Sequence, residues 1–216
     1  MNRAGRVGDA TVVLMCGLPA SGKTTTAGRL HAALGGTLIR SCDVYQCLGI
    51  DLSDWVAKTR GFTENVAAYE RVRDAAYDEM ARLLEAALTA GATFVIVDAV
   101  HGERAKRGVV FDICERHAAT PLLLWCRCDD LAETERRFAT RRGREAEPER
   151  EASDVSVYRH IVSLWEDPLE DDVAVDVVTY DTRADRLRWV RPLGGPGIKI
   201  IDRAQIGNPR DNWRTT

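Results

Sequence analysis

Five short apolar runs punctuate the chain: Thr11 to Cys16, Thr37 to Arg40, Thr93 to Val97, Pro121 to Cys126 and Val173 to Tyr180. They are rich in β-branched residues and apolar nearly throughout, which is the pattern of strands covered on both faces. Between them apolar positions recur at helical spacing, and helices are expected at Lys23 to Leu34, Glu64 to Ala90, Glu103 to His117 and Leu131 to Arg142. The second is the longest: Val66, Tyr69, Val72, Ala76, Met80, Leu83 and Leu84 recur at helical spacing, Thr63 offers an N-cap and Gly91 a stop. Strands and helices alternating at such intervals are the rhythm of βα units around a parallel sheet, an α/β fold.

Elsewhere the pattern weakens. Cys47 to Gly61 reads as an insertion with a short helix around Trp55 at most. The charged stretch GREAEPEREASDV, Gly143 to Val155, is broken by Pro148 and is expected to be mobile. After Asp181 the chain passes into LGGPGIKI, whose Gly194, Gly195 and Gly197 read as a turn, and a polar tail. The expected organisation is one domain over residues 1–185, with a lid near residues 136–155, and a C-terminal extension over residues 186–216.

Composition narrows the classes. At 216 residues, 45% hydrophobic, the chain can bury one substantial core but has little room for a second. A formal charge of -3 gives no global attraction to nucleic acid or to an anionic membrane surface. The six cysteines form no CxxC pair and several lie in apolar runs, so they read as reduced and mostly buried. Arg3 and Arg6 imitate the start of an export signal, but Asp9 interrupts it, and no segment approaches the roughly 18 apolar residues of a membrane span. A cytoplasmic location is expected.

The chemistry begins with GLPASGKT, Gly17 to Thr24, which satisfies GxxxxGK[ST] between a strand and a helix. In such a loop the backbone N–H groups of Gly17, Pro19, Ala20, Ser21 and Gly22 and their neighbours, proline excepted, wrap phosphate oxygens. The helix dipole favours the anion, Lys23 reaches the β- and γ-phosphates, and the Thr24 hydroxyl ligates Mg²⁺. Thr25 can add a hydroxyl to the α-phosphate. The alternative is an ordinary glycine turn with a surface lysine, which the strand and helix context disfavours. A nucleoside triphosphate is the expected ligand.

Transfer of a phosphoryl group needs more: an acceptor site, a group to orient the acceptor hydroxyl, and cations for the moving charge. Asp43 follows the second strand at the sheet edge where ligands of open α/β sheets collect, and can take the acceptor's proton; the competing reading is a helix cap. Asp98 closes the third strand, FVIVD, where a carboxylate can hold Mg²⁺ or merely form a turn. The two aspartates can also divide these roles the other way. Arg137 and Arg141, on one face of the fourth helix with Arg144 beyond, can meet the phosphates or be a solvated face balanced by Glu133 and Glu135. His101, three residues past Asp98, is a weaker candidate. Trp55, Tyr69, Arg73 and Tyr77 could line an acceptor pocket, with core packing or solvation the blander reading of each.

Taken in order, GLPASGKTT, the SCD of Ser41 to Asp43, VIVDAV around Asp98 and RRFATRR followed by ASDVSVYRHIVSLWEDP resemble the landmarks of the small P-loop kinases grouped with zeta toxin and the polynucleotide kinase domain, often labelled AAA-family ATPases in bacteria. The resemblance covers roughly Thr11 to Asp181. It implies a three-layer αβα sandwich with a five-stranded parallel sheet in the order 2-3-1-4-5, dependence on ATP and Mg²⁺, and phosphoryl transfer to a hydroxyl. By the same resemblance Asp43 matches the acceptor-activating aspartate, Lys23 and Thr24 the phosphate and metal contacts, and Arg137 and Arg141 the lid arginines. Motor ATPases of the AAA class carry a further helical domain for which this chain has no space.

The leading expectation is therefore an ATP-dependent kinase for a small-molecule hydroxyl. A 5′-hydroxyl polynucleotide or tRNA-linked acceptor is the alternative, disfavoured by the acidic balance. A noncatalytic nucleotide switch is the reading from another class. The sequence does not name the acceptor or the oligomeric state.

Overall fold

The computed structural model describes residues 10–50, 66–142 and 148–191, with side chains for residues 10–50, 66–140 and 156–191. In chain order the elements are β1 (Thr11–Cys16), α1 (Lys23–Leu34), β2 (Thr37–Arg40), α2 (Ser41–Cys47), α3 (Val66–Thr89), β3 (Phe94–Asp98), α4 (Arg104–Arg116), β4 (Thr120–Arg127), α5 (Leu131–Arg142), α6 (Pro148–Ser163), a single 3₁₀ turn (Pro168–Glu170), β5 (Asp176–Asp181) and β6 (Arg186–Arg191). Trp55, the Thr63 cap, Arg144, the glycines of LGGPGIKI and the tail lie outside the described residues, as do the side chains of Arg141 and Arg142.

The strands form one sheet in the order β2-β3-β1-β4-β5-β6. The first five are parallel, in the order expected, and β6 runs antiparallel to β5. Every residue of β1 is buried, and its side chains alternate between two cores. Val12 and Leu14 join Ala76, Met80, Leu84, Val110 and Ile113 under α3 and α4, while Val13 and Met15 join Ala27 and Leu30 under α1. Helices on both faces explain why the strands read as continuous apolar runs.

The chain leaves β1 for one side of the sheet and returns past it to the other, so the carboxyl ends of β1 and β3 flank the point where strand order reverses. Clefts of open α/β sheets form there. The glycine loop leaves β1 at this edge and Asp98 ends β3 beside it, in register with Met15.

Three expectations need correction. The sheet has six strands, because RLRWVR pairs with β5; its exposure alternates along the strand, and Leu187 and Trp189 pack on the α1 side. Arginine at three of its six positions hid that alternation. Pro148 to Val155 is helical, the first half of α6, because proline at the first position of a helix loses no needed N–H. SCDVYQC forms the short helix α2 directly after β2, so Asp43 lies in a helix's first turn. The six cysteines are free as expected, but only Cys16, Cys114 and Cys126 are fully buried, with Cys42 and Cys47 exposed.

Candidate active site

The glycine loop is shaped by close approach. Gly17 has φ 144°, and a Cβ there would lie 2.3 Å from the carbonyl oxygen of Cys126, so only glycine lets the loop turn over β4. Ala20 and Gly22 also have positive φ, 64° and 92°. α1 then starts at Lys23, so its N-terminus opens onto the loop. Lys23 is buried, and its Nζ donates to the Leu18 carbonyl at 2.8 Å and lies 3.5 Å from Ser21 Oγ. Thr24 and Thr25 are exposed at the mouth.

Asp98 is 3% exposed. Burial pushes its carboxyl up from the ordinary range, against the pull of a hydrogen bond from Thr24 and the charge of Lys23. Its Oδ1 is buried without a hydrogen-bond partner among the described residues. A buried carboxylate oxygen without a protein partner, beside a threonine hydroxyl, has the chemistry that a hard cation binds. Asp43, by contrast, is half-exposed, and Arg40 Nε donates to its Oδ2 at 2.8 Å. That pair ties the start of α2 to the end of β2 and leaves Oδ1 with a long contact to Cys42 Sγ, 3.5 Å.

A buried network holds the loop from Asp98 to Glu103. Gly17 N donates to the Val100 carbonyl at 3.0 Å, joining this loop to the glycine loop. Arg107 and Asp171 form a two-bond pair at 2.6 and 2.7 Å, with side chains 0% and 2% exposed, and Arg107 Nη1 donates to the His101 carbonyl at 3.0 Å. His101 is therefore structural. Its Nδ1 lies 2.9 Å from the Met15 carbonyl and so carries the proton, and its backbone N donates to Tyr77 Oη.

Burial, with the charges of Arg107 and Lys23 adding, pushes His101 down from 6.5 to about 4. The folded state thus holds this ring neutral while the unfolded chain protonates near 6.5. Stability is full above 6.5 and falls toward pH 4, by up to about 1.4 kcal/mol per pH unit. Urea midpoints of the wild type should drop between pH 7 and 5, above the range where most carboxylates titrate. His101→Asn, which tolerates the residue's φ of 44°, should flatten that drop; an equal drop in the variant would contradict the assignment.

The structure brings Arg137 to the glycine loop. Its Nη1 donates to the Ala20 carbonyl at 3.0 Å and to Thr182 Oγ1 at 2.8 Å, and its Nε to Glu133 at 2.7 Å. Hydrogen bonds from Arg136 and Arg137 hold Glu133 down to about 2. Thr182 reaches the same loop, its Oγ1 lying 2.8 Å from the Ser21 carbonyl and its side chain filling the space beside Gly22. Arg137, Thr182 and Thr25 line a recess of about 360 Å³. The side chain of Arg141 lies outside the described residues.

A second cleft, of about 300 Å³, is lined both by the glycine loop and by residues far from it: Lys23, Thr24 and Asp98, then Tyr45, Tyr69, Arg73, Tyr77 and Glu103, then Phe138, Tyr158 and Ile161. Tyr69, Arg73 and Tyr77, weak candidates from sequence, do line it. Glu103, Tyr158 and Ile161 were missed. Glu103 precedes α4 on the loop after β3, and a search of every strand's carboxyl end would have found it; the α6 residues carry no such signal.

A glycine loop between a first strand and its helix, with a bare carboxylate at the neighbouring strand end, defines a P-loop α/β protein. The chain belongs to the AAA domain family AAA_33, which matches residues 12–159. No curated protein matches it in sequence. Among solved structures it is similar to a candidate kinase from Chloroflexus aurantiacus, at 17% identity and TM-score 0.58 over 82% of this chain and 87% of that one. It is also similar to APE1195, at 23% identity and TM-score 0.54 over 82% and 88%. A third is the APS kinase CysC of Mycobacterium tuberculosis in complex with AMPPNP and APS, at 18% identity and TM-score 0.51 over 79% and 88%. At these identities the likeness establishes the fold. No helix among the described residues is long and apolar enough to cross a membrane.

Proposed function

We propose that the chain is an ATP-dependent phosphotransferase that moves the γ-phosphoryl group to a hydroxyl of a small molecule in the cytoplasm. The observation that carries this reading is the single cleft lined both by Lys23, Thr24 and Asp98 and by an aromatic pocket with Arg73 and Glu103. A switch or a motor needs the loop but does not need an aromatic pocket opening onto it. The order of the sequence landmarks supports placing the chain with the small kinases grouped with zeta toxin and polynucleotide kinase.

On this reading the polyphosphate lies in the glycine loop and Lys23 turns from the Leu18 carbonyl to the β- and γ-oxygens. The rest of the donor occupies the recess beyond Thr25, where Arg137 adds positive charge. Thr24 and Asp98 would hold Mg²⁺, which fits the bare Oδ1 of Asp98 and supplies neutralisation of the phosphate charge. Asp43 takes the acceptor's hydroxyl proton as that oxygen bonds to phosphorus and the bond to the bridging oxygen of ADP breaks. The hydrogen bond from Arg40 keeps Asp43 oriented for that task.

Asp43→Asn removes the proton acceptor while preserving the side chain's shape. Acceptor phosphorylation in a single turnover should fall by about 10²- to 10⁴-fold, with ATP affinity little changed. An unchanged rate would remove Asp43 from the base role, and Asp98→Asn would then be tested in its place.

A further inference from the structure

We propose that the acceptor is an alcohol without an anionic group, carrying an ammonium that Glu103 recognises. This rests on the phosphotransferase reading and concerns what fills the acceptor part of its cleft. The starting point is Arg73, which interrupts the apolar stripe of α3 and is nonetheless only 7% exposed. A cation buried in a substrate pocket ordinarily receives an anionic substrate. Here its Nη2 is taken by two carboxylates of the protein, Glu70 Oε2 at 2.6 Å and Glu103 Oε1 at 2.8 Å. Glu70 is held in turn by His160.

Among the described residues lining the cleft away from the glycine loop, the charge of Arg73 is therefore already matched before any ligand arrives, and its Nε, buried without a partner there, is left for an uncharged acceptor such as a hydroxyl. A further carboxylate, sulfate or phosphate there would be desolvated against Glu103. Glu103 itself is suited to a donor. Its side chain is about a quarter exposed, it lines the cleft, and Arg73 is its partner among the described residues, so its second oxygen is uncommitted. Aromatic rings complete the surroundings: Tyr45, Tyr69 and Tyr77, and the edge-to-face pair of Phe138 and Tyr158 at 5.7 Å. Rings around a carboxylate favour a cation attached to a flat apolar body. Arg73 is thus a positioning residue, holding Glu103 toward the ligand.

Three alcohols that share a phenyl-bearing carbon and a terminal CH₂OH isolate the charge: phenylglycinol, N-acetylphenylglycinol and tropate, which carry an ammonium, a neutral amide and a carboxylate. Each is titrated calorimetrically into the full chain loaded with Mg²⁺ and a non-hydrolysable ATP analogue. Phenylglycinol is expected to bind at least about tenfold more tightly than tropate, with the amide between them. Glu103→Gln, which keeps an acceptor for Arg73, should weaken phenylglycinol by about tenfold and leave the amide nearly unchanged. Tropate binding as tightly as phenylglycinol, an unchanged order in Glu103→Gln, or no binding of any of the three to the loaded chain would overturn the proposal. Failure of the chain to load nucleotide is a separate result, and it overturns the phosphotransferase reading itself.

Discussion

Lys23→Ala is expected to lower ATP turnover by at least about 10²-fold and to remove the thermal stabilisation that MgATP gives the wild type. The size follows from where the ammonium lies. It is buried within a loop of backbone donors, where a charge acts on phosphate oxygens through little water, and loss of one such group from a preorganised site costs about 10² to 10³ in rate. Lys23 also bonds the Leu18 carbonyl, so a purely structural role has to be separated from a phosphate role. Ligand-linked stability separates them. At about 100 times its dissociation constant MgATP should stabilise the wild type by about 2.7 kcal/mol. The variant, compared with its own ligand-free melting temperature, should show little of this. A variant that melts lower but still gains the full increment from MgATP would assign Lys23 to the loop's architecture alone.

The largest effect on stability is expected from the buried pair of Arg107 and Asp171. Among the described residues, Arg107→Leu leaves the Asp171 carboxylate buried with only the longer contact to Arg104, 3.3 Å, and deprives the His101 carbonyl of a donor. Breaking a buried pair by removing one partner costs about 3 to 5 kcal/mol, which for a chain of this size lowers the melting temperature by very roughly 6 to 20 °C. Removing both charges in Arg107→Leu with Asp171→Leu should recover much of the loss, because an apolar pair of similar volume carries no desolvation cost. A single variant within about 1 kcal/mol of wild type would show that the pair is not the fastening it resembles. Arg107 also anchors the loop that carries Asp98 and Glu103, so the single variant should lose activity at temperatures where it is still folded.

Much of the architecture was legible because local pattern and burial agree. β1, β2, α1 and α5 have the bounds that periodicity and glycine stops suggest, and the core face of α3 carries Tyr69, Ala76, Met80 and Leu84 as its spacing requires. What failed did so for physical reasons. β6 is an edge strand with arginine at two of its three outward positions, Arg186 and Arg188, and α6 opens with a proline and a run of charges that read as loop chemistry.

The site divides in the same way. The glycine loop and Asp98 sit at strand ends and Asp43 in the first turn of the helix after β2, and each belongs to a short motif. The aromatic part of the cleft is assembled from α2, α3, the loop before α4, α5 and α6, and no window of sequence contains it. The Arg107–Asp171 pair joins residues 64 apart in the chain. Arg137 was predicted on the right helix, but its contact with the Ala20 carbonyl depends on how α5 packs beside β5 and the Thr182 turn. Arg73 carried more information in the sequence than its place among the pocket candidates suggests. A charge within an apolar helical stripe is a residue with a buried partner, and here the partners mark the pocket.

The measurement that bears most directly on the central claim is the fate of a labelled γ-phosphoryl group when ATP and Mg²⁺ are incubated with the chain and a panel of small alcohols. The account predicts label on an alcohol oxygen in step with ADP formation, lost in Lys23→Ala and strongly slowed in Asp43→Asn. Label released only to inorganic phosphate at a rate indifferent to every alcohol, or a wild-type chain that binds no ATP, would contradict it.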